Sequence, residues 1–507
     1  MQYLIGIDIG TSGTKTVLFT QQGKPVTSHS AEYPLYQPQN GYAEQEPLDW
    51  WNAVVETLKA VMAKSGVKKQ NIAGIGLSGQ MHGLVMLDAK GDVLRRSIIW
   101  CDQRTSAECS EITRKVGRER LVEITANPAL TGFTASKILW VRNHEPEIYE
   151  RCRHILLPKD YIRYRLTGEF ATEVSDASGM QLLDVPARQW SGEVLSKLEV
   201  DPALLGQVYE SPEITGAVTA NAAELTGLAE GTPVVGGAGD NAAAAVGTGV
   251  VRDGRAFTTI GSSGVVYAHT SAISIDKPGR VHTFCCAVPG QWHVMGVTQG
   301  AGLSLKWFRD TFCLAEKQTA EDMGVDPYTL LDREAAQSPI GANGLLYLPY
   351  IMGERTPHLD ADARGVFFGL SAIHRKRDLL RAVMEGVTFS LRDCLGVLRE
   401  MDVEVGSMAA CGGGGSSAFW RQMLADVFAC PVTTIDSKEG PALGVALLAG
   451  VGTGLYNSVP EACDAVIGFA ETCAPAEANT AQYLKYYEVY RNLYPALKDS
   501  FSQLRKV

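Results

Sequence analysis

The chain has 507 residues, a length that calls for at least two domains because a single hydrophobic core does not grow that large. Hydrophobic residues make up 45% and charged residues 20%, as in ordinary globular proteins, and the net charge of −10 argues against nucleic acid or an anionic membrane as the main partner. There is no signal-like or membrane-length apolar run, and the cysteines lack paired spacing, so we expect a cytoplasmic protein with reduced thiols.

The first hundred residues predict strands that alternate with one amphipathic helix. The helix is predicted over Pro47–Ala63, where apolar side chains recur on one face. The predicted strands are Tyr3–Asp8, Thr14–Phe19, Lys24–Ser30, Ile72–Leu77, Leu84–Leu87 and Ser97–Trp100. Three antiparallel strands, a helix and a further strand follow the core order of the ribonuclease-H-like fold.

A similar alternation begins again after Gly236. The predicted strands are Ala256–Ile260, Val265–Ala268, Trp292–Gly296 and Leu345–Leu348, and the predicted helices are Gly302–Arg309, Lys376–Arg399, Ser417–Phe428 and Thr480–Leu504. The segment Ala238–Val251, rich in Gly and Ala, is the expected crossover. We therefore predict an α/β protein of two ribonuclease-H-like domains, residues 1–245 and 246–507, with a cleft between them.

A turn of small residues follows the first strand. Asp8 ends the apolar run, and then Gly10, Thr11 and Ser12 lead to Lys15. Backbone N–H groups, hydroxyls and a lysine in a tight turn are typical of a phosphate site, and Asp8 is placed to approach Mg²⁺ carried by the phosphates. An ordinary hairpin is the alternative.

A second copy of this turn favours the phosphate site over the plain hairpin. Gly261, Ser262 and Ser263 again join two apolar strands, about half a chain length from Gly10. A duplicated anion loop at this spacing predicts two similar domains that face one another.

Asp240 is the strongest catalytic candidate. It lies in the small-residue segment Gly236–Ala245 with Asn241 beside it, at the start of a predicted helix. A phosphoryl acceptor hydroxyl needs a carboxylate to take its proton, whereas a simple helix cap is the alternative. The glycines before Asp240 suit close approach of the backbone to a ligand.

Two further segments have the character of ligand loops. Gly412–Ser417 lies between a strand and a helix, which indicates a phosphate or nucleoside cradle, and a flexible linker is the weaker alternative. Gln80, Met81 and His82 form one turn between strands, where cleft residues lie, and the two ring nitrogens of His82 can donate and accept at once. Gly74–Gly79 matches G-x-G-x-x-G, but a strand follows it, so a dinucleotide fold is disfavoured.

Taken together, these motifs resemble the FGGY carbohydrate kinases of the actin, hexokinase and Hsp70 superfamily. The match runs in order from about Ile5 to Gly450. Within the family, the segments Gln80–Gly83, Ile99–Arg104 and Asp176–Met180 look most like the xylulokinase group. The resemblance implies ATP-dependent phosphorylation of D-xylulose with Mg²⁺.

The resemblance also implies roles for single residues. It makes Asp240 the proton acceptor and Asp8 the acid near Mg²⁺, directly or through water. The other residues implied to contact sugar are Gln80, Met81, His82 and Asn241; those implied to contact ATP are Gly10, Thr11, Ser12, Lys15, Gly261, Ser262, Ser263, Gly302, Gly412, Gly413 and Ser417.

Other functions stay open at this point. The nearest alternative is a kinase of the same family for ribulose, L-xylulose or a polyol. An actin-like or Hsp70-like ATPase is a second, but it leaves the segment Gln80–His82 unexplained. A non-enzymatic sugar sensor would not need Asp240, and a homodimer is one open assembly state.

Overall fold

The computed structural model describes residues 2–437 and 439–506, and two seven-stranded sheets form its centre. The strands of the first sheet are β1 (Tyr3–Ile9), β2 (Gly13–Thr20), β3 (Pro25–Glu32), β4 (Ile72–Gly79), β5 (Ile214–Ala217), β6 (Pro233–Val235) and β7 (Ala238–Gly239). Their order is β5-β6-β4-β1-β2-β3, and β7 also pairs with β4.

The second sheet repeats this plan. Its strands are β8 (Gly254–Ile260), β9 (Gly264–Thr270), β10 (His282–Cys285), β11 (Trp292–Thr298), β12 (Val405–Cys411), β13 (Val432–Ile435) and β14 (Phe469–Cys473). Their order is β10-β11-β9-β8-β12-β13-β14. In each sheet the first strand pairs antiparallel with the second and parallel with a strand that follows a helix.

Helices cover both sheets. In the first half they are α1 (Pro47–Ser65), α2 (Ser106–Val116), α3 (Arg118–Thr125), α4 (Thr134–His144), α5 (Pro146–Arg151), α6 (Pro158–Thr167), α7 (Val174–Ala177), α8 (Gly192–Leu198), α9 (Ala220–Thr226) and α10 (Asp240–Gly247). In the second half they are α11 (Ala301–Phe312), α12 (Leu314–Met323), α13 (Pro327–Ala335), α14 (Lys376–Glu400), α15 (Gly412–Gly415), α16 (Ala418–Phe428), α17 (Gly440–Gly452), α18 (Val459–Val466) and α19 (Glu477–Leu504).

Short strands pair outside the two sheets, at Glu44–Gln45, Val85–Leu87, Ser97–Ile98, His154–Leu156, Ala171–Glu173, Leu183–Asp184, Gln189–Trp190, Gln207–Tyr209, Leu346–Leu348 and Val366–Phe368. The predicted elements are therefore present, with ends that move by a few residues. The segment Gly74–Gly79 lies wholly within β4, which removes the dinucleotide interpretation.

The two predicted phosphate turns, at Gly10–Ser12 and Gly261–Ser263, have the same place in the strand plan, and the first is one residue longer than the second. Each joins the first two antiparallel strands of its sheet. The Gly10 N–H donates to the Gly13 carbonyl at 3.0 Å, and the Gly261 N–H donates to the Ser263 carbonyl, also at 3.0 Å. The duplication predicted from the sequence is confirmed by the repeated strand plan, but these two N–H groups close the turns and are not free for an anion.

Helices α10 and α17 join the two halves of the chain, and their backbones lie in direct contact. Helix α17 packs against α10 and against β1 and β4 of the first sheet. A Cβ atom added to Gly6 of β1 or to Gly76 of β4 would lie 1.9 Å from a carbonyl oxygen of α17. On α17 itself, a Cβ atom on Gly444 would lie 1.9 Å from the Ala243 carbonyl of α10. Only glycine permits this approach.

The halves therefore share a core. One buried cluster combines Leu4, Val17 and Phe19 of the first sheet with side chains of α10 and α17. Helix α10 also runs through the division after residue 245, which itself stays a prediction.

Within residues 2–437 and 439–506, no helix combines the length and apolarity needed to cross a bilayer.

Replacing Gly444 with Ala should destabilise the protein by about 1–3 kcal/mol, because the new methyl group overlaps a carbonyl of α10. Gly440→Ala on the same helix is the matched control, since its Cβ would meet no atom within 4 Å. Thermal and urea unfolding of both variants measure the difference. Equal stability of the two would contradict the close-packing account.

Candidate active site

The two predicted carboxylates lie at one edge of the first sheet. Ser78 of β4 pairs with Asp8 of β1 on one side and with Ala238 of β7 on the other. These residues form one row across three parallel strands, and Asp240 begins α10 two residues further on. The carboxyl ends of parallel strands are where clefts of α/β proteins form.

The environment of Asp240 is that of a base near neutrality. Burial, and next the charge of Asp8, raise the pKa of Asp240 to about 7. The backbone N–H of Asn241 and its side-chain amide both donate to Oδ1 of Asp240, at 2.7 and 2.9 Å. In the described residues nothing donates to Oδ2, so this oxygen is left to accept a proton. Asn241 thus orients the carboxylate beside it.

Asp8 has the features of a cation ligand. Burial raises its pKa, and its Oδ1 is buried with no hydrogen-bond partner in the part of the chain that the structure describes. A buried carboxylate oxygen without a donor suits a hard cation such as Mg²⁺. The nearby Lys15 ammonium lies 2.5 Å from a carboxylate oxygen of Glu439, just before α17, so it links the halves.

The glycines before Asp240 approach protein atoms, whereas the sequence predicted approach to a ligand. Gly237 has a φ of 74°, and a Cβ there would lie 2.0 Å from the Leu77 carbonyl. A Cβ on Gly239 would lie 2.9 Å from Cγ of Met81. The small residues thus let β7 reach β4 and let Met81 pack against Gly239, the residue before Asp240.

Gln80 links the turn Gln80–His82 to the turn Gly10–Ser12. Its side-chain nitrogen donates to Oε1 of Gln45 at 2.7 Å and to the Gly10 carbonyl at 3.4 Å. Trp100 also bonds the turn Gly10–Ser12, because its Nε1 donates to Oγ1 of Thr11 at 2.9 Å. Ser12 in the same turn is exposed.

His82 is held in a left-handed backbone conformation, with a φ of 69°. Its carbonyl accepts from the Lys137 ammonium at 2.8 Å and from the Thr134 hydroxyl at 3.1 Å. These donors satisfy a carbonyl in a conformation that non-glycine residues rarely adopt. Lys137 is missing from the sequence prediction because its partner is 55 residues away.

The ring of His82 is a neutral acceptor. Nδ1 lies 3.0 Å from the Gly179 carbonyl, and because a carbonyl only accepts, Nδ1 carries the proton. Burial, and then the charge of Lys137, lower the pKa of His82 to about 3. Nε2 is therefore left to accept a hydrogen bond. The sequence predicted that the ring would also donate one to a ligand, but its donor, Nδ1, already bonds the Gly179 carbonyl.

Aromatic rings connect the turn Gln80–His82 with the second half of the chain. The His82 ring lies 4.9 Å from Phe133 and 6.2 Å from Phe284 of β10. Met81 belongs to the same buried cluster, which also contains Phe257 of β8. The turn Gln80–His82 therefore packs against the second sheet.

A cavity of about 450 Å³ opens in the second half. Five of the predicted nucleotide residues line it: Gly261, Ser262, Gly302, Gly413 and Ser417. Ser263 and Gly412 flank these residues in the chain. Lining residues that the sequence analysis missed, from α11, α13 and α16, include Lys306, Tyr328, Asp332 and Trp420. They carry no local motif, since separate helices supply them.

The start of α11 rests on the second turn. The Gly302 N–H donates to the Gly261 carbonyl at 2.7 Å, and the Leu303 N–H donates to the Ser262 carbonyl at 3.2 Å. A Cβ on Gly302 would lie 2.4 Å from that Gly261 oxygen. The predicted glycine loop also differs, because Gly412–Gly415 forms the helical turn α15 before Ser417 caps α16.

Asp240→Asn should stabilise the protein at pH 8 by on the order of a few kcal/mol, and by less at pH 5. The pKa of this carboxyl is 3.8 in an unfolded chain and about 7 in the fold, so its ionisation costs stability increasingly between those values and fully above them. Melting temperatures across pH measure the effect. Asp88→Asn is a control of opposite sign, since two backbone N–H groups lower the pKa of partly exposed Asp88. If the difference in melting temperature between Asp240→Asn and the wild type did not change with pH, ionisation of Asp240 would carry no cost in the fold, which would contradict the raised pKa.

Comparison with known proteins agrees with this architecture. Residues 3–247 match the N-terminal domain, and residues 256–453 the C-terminal domain, of the FGGY family of carbohydrate kinases. The chain is 40% identical to a xylulose kinase of Bacillus subtilis (strain 168), over 100% of this chain and 99% of that protein. It is 32% identical to a gluconokinase of Bacillus licheniformis, over 99% and 97%.

Solved structures show the same similarity. A ligand-bound xylulose kinase from Lactobacillus acidophilus superposes with a TM-score of 0.92 at 28% identity, covering 99% of this chain and 100% of that one. Two family domains in order, with a full-length relative and a full-length structural match, leave one assignment: the chain belongs to the FGGY family of carbohydrate kinases.

Proposed function

We propose that this carbohydrate kinase transfers the γ-phosphoryl group of ATP to D-xylulose and forms D-xylulose 5-phosphate. The observation that carries the proposal is Asp240, a carboxylate with a pKa of about 7 whose Oδ2 has no donor among the described residues. The residue before it, Gly239, contacts Met81, and Met81 belongs to the turn that carries the acceptor nitrogen of His82. Relatives that are xylulose kinases at 36–40% identity support the choice of sugar.

In the proposed reaction, Oδ2 of Asp240 accepts the proton of the primary hydroxyl as its oxygen bonds to the γ-phosphorus. The bond from that phosphorus to the bridging oxygen breaks, and ADP leaves with the bond's electron pair. General-base assistance of this kind contributes typically ~10²–10⁴-fold to the rate. The remaining acceleration comes from positioning and charge neutralisation.

The cavity beside Gly261, Gly302 and Gly413 is the proposed site of the adenosine. The two turns, Gly10–Ser12 and Gly261–Ser263, would contact the phosphates together with Lys15. Asp8 would hold Mg²⁺, directly or through water, because its buried Oδ1 lacks a donor in residues 2–437 and 439–506. The ion would neutralise charge between the phosphates.

We further propose a cytoplasmic enzyme. All eleven cysteines are free thiols, which suits a reducing compartment.

A homodimer is the proposed assembly, and light scattering of the purified chain tests it directly.

D-Xylulose should be the preferred substrate in a coupled ADP-release assay over ketoses, polyols and gluconate, and omission of Mg²⁺ should abolish turnover. His82→Ala should narrow the kcat/KM ratio of D-xylulose over D-ribulose, because a buried group that bonds a hydroxyl penalises an epimer by ~1–3 kcal/mol. A wild-type preference for another substrate refutes the sugar assignment. An unchanged ratio with a lower melting temperature would mean that His82 only braces its turn.

Gly413→Val should raise the KM for ATP about tenfold or more without loss of stability. A Cβ on Gly413 meets no protein atom within 4 Å, yet the residue lines the cavity, so the branched side chain would occupy ligand space. Gly192→Val, at an equally open position on α8, is the matched control. Normal ATP saturation in Gly413→Val would place the nucleotide elsewhere.

A further inference from the structure

Arg355 projects from the second half of the chain, and its backbone is fixed there. The N–H of the next residue, Thr356, donates to the Val297 carbonyl at 3.0 Å, and the Val297 N–H donates to the Thr356 hydroxyl at 3.1 Å. Both bonds join the segment to the end of β11. These bonds therefore hold the backbone of Arg355 in place relative to the second sheet.

The guanidinium group of Arg355 reaches the first half of the chain. A Cβ atom on Gly132 would lie 3.9 Å from its Nη2. The carbonyls of Gly132 and His82 share the ammonium of Lys137, at 2.7 and 2.8 Å. Arg355 thus lies beside the bonds that hold the His82 turn, and its charge contributes to the lowered pKa values of His82 and His282.

The neighbouring carboxylate does not neutralise this guanidinium by hydrogen bonding. Glu354 accepts from the Thr298 hydroxyl at 2.6 Å, from the Gln299 N–H at 3.0 Å and from the Arg355 backbone N–H at 2.7 Å. These bonds turn the carboxylate back into the second half. In residues 2–437 and 439–506, no acceptor takes a hydrogen bond from the Arg355 side chain, and burial lowers its pKa.

The guanidinium nitrogens of Arg355 are unused donors that are open to solvent, so oxygen atoms of a ligand can bond them. The donor end of Arg355 and the acceptor Nε2 of His82 together complement a hydroxyl, which can donate to one and accept from the other. Gly132, which the Arg355 guanidinium approaches, shares the Lys137 ammonium with His82, so Arg355 lies towards the His82 end of the site.

We propose that Arg355 is a sugar-binding residue, donated by the second half, which hydrogen-bonds the carbonyl and hydroxyl oxygens of the ketose at the end away from the phosphoryl acceptor. This inference rests on the proposed function. The sugar would then contact both halves, so its binding would favour closure of one half on the other. Selectivity would depend in part on a residue outside the turn Gln80–His82.

The test compares Arg355→Gln and Arg355→Lys with the wild-type enzyme. Losing charged hydrogen bonds should raise the KM for D-xylulose roughly 10–100-fold. The KM for ATP, the sugar-independent ATP hydrolysis and the melting temperature should stay at wild-type values. Arg364→Gln is the matched control, because exposed Arg364 bonds only carbonyls of its own segment, Ala361 and Ala363.

Chemical rescue separates binding from structure. In Arg355→Ala, millimolar guanidinium should restore part of the sugar affinity, which a purely structural role would not allow. An unchanged KM for sugar, or a raised KM for ATP alone, overturns the proposal.

The substrate panel keeps the two proposals apart. If the wild-type enzyme prefers a different ketose or a polyol, the sugar assignment fails, and the Arg355 variants are then judged on that substrate. If gluconate is preferred and only its use depends on Arg355, the guanidinium pairs with a carboxylate, and the assignment to ketose oxygens is overturned.

Discussion

The contact between α10 and α17 is the constraint on which the rest of the structure depends. These helices meet each other and the first sheet at backbone distance, through Gly76, Gly247 and Gly444 among others. A side chain at any of these points would overlap a carbonyl oxygen. The packing joins two sheets that are far apart in sequence, and Asp240 is the first residue of α10, so the same contact positions the carboxylate proposed as the base.

Electrostatics at this edge follow from burial. Asp8 and Asp240 are brought to one edge of three parallel strands, where each carboxylate loses water and Asp240 also feels the charge of Asp8. Two raised pKa values are unfavourable for folding, since ionised buried groups are costly without partners. A cation bound by Asp8 and a hydroxyl that donates to Asp240 would both relieve this cost, which fits the proposed roles of the two carboxylates.

The site divides its tasks between the halves. The first half carries Asp240, the proposed base, and the turn with His82, while the second carries the 450 Å³ cavity and Arg355. Lys15 and Glu439 bridge them near the start of α17. A kinase gains from this division, since closing one half on the other can exclude water and align both substrates.

The sequence by itself determined the strand plan, the duplicated turns and the candidates Asp8, Asp240 and His82, because hydrophobic period and small-residue turns are local signals. It also indicated the family. Only the tertiary structure decided that the glycines before Asp240 serve strand packing, that Nδ1 of His82 donates to the Gly179 carbonyl, and that Lys137 and Arg355 converge on its turn. Those features depend on contacts between distant segments, and no local pattern encodes which partner a buried donor will meet.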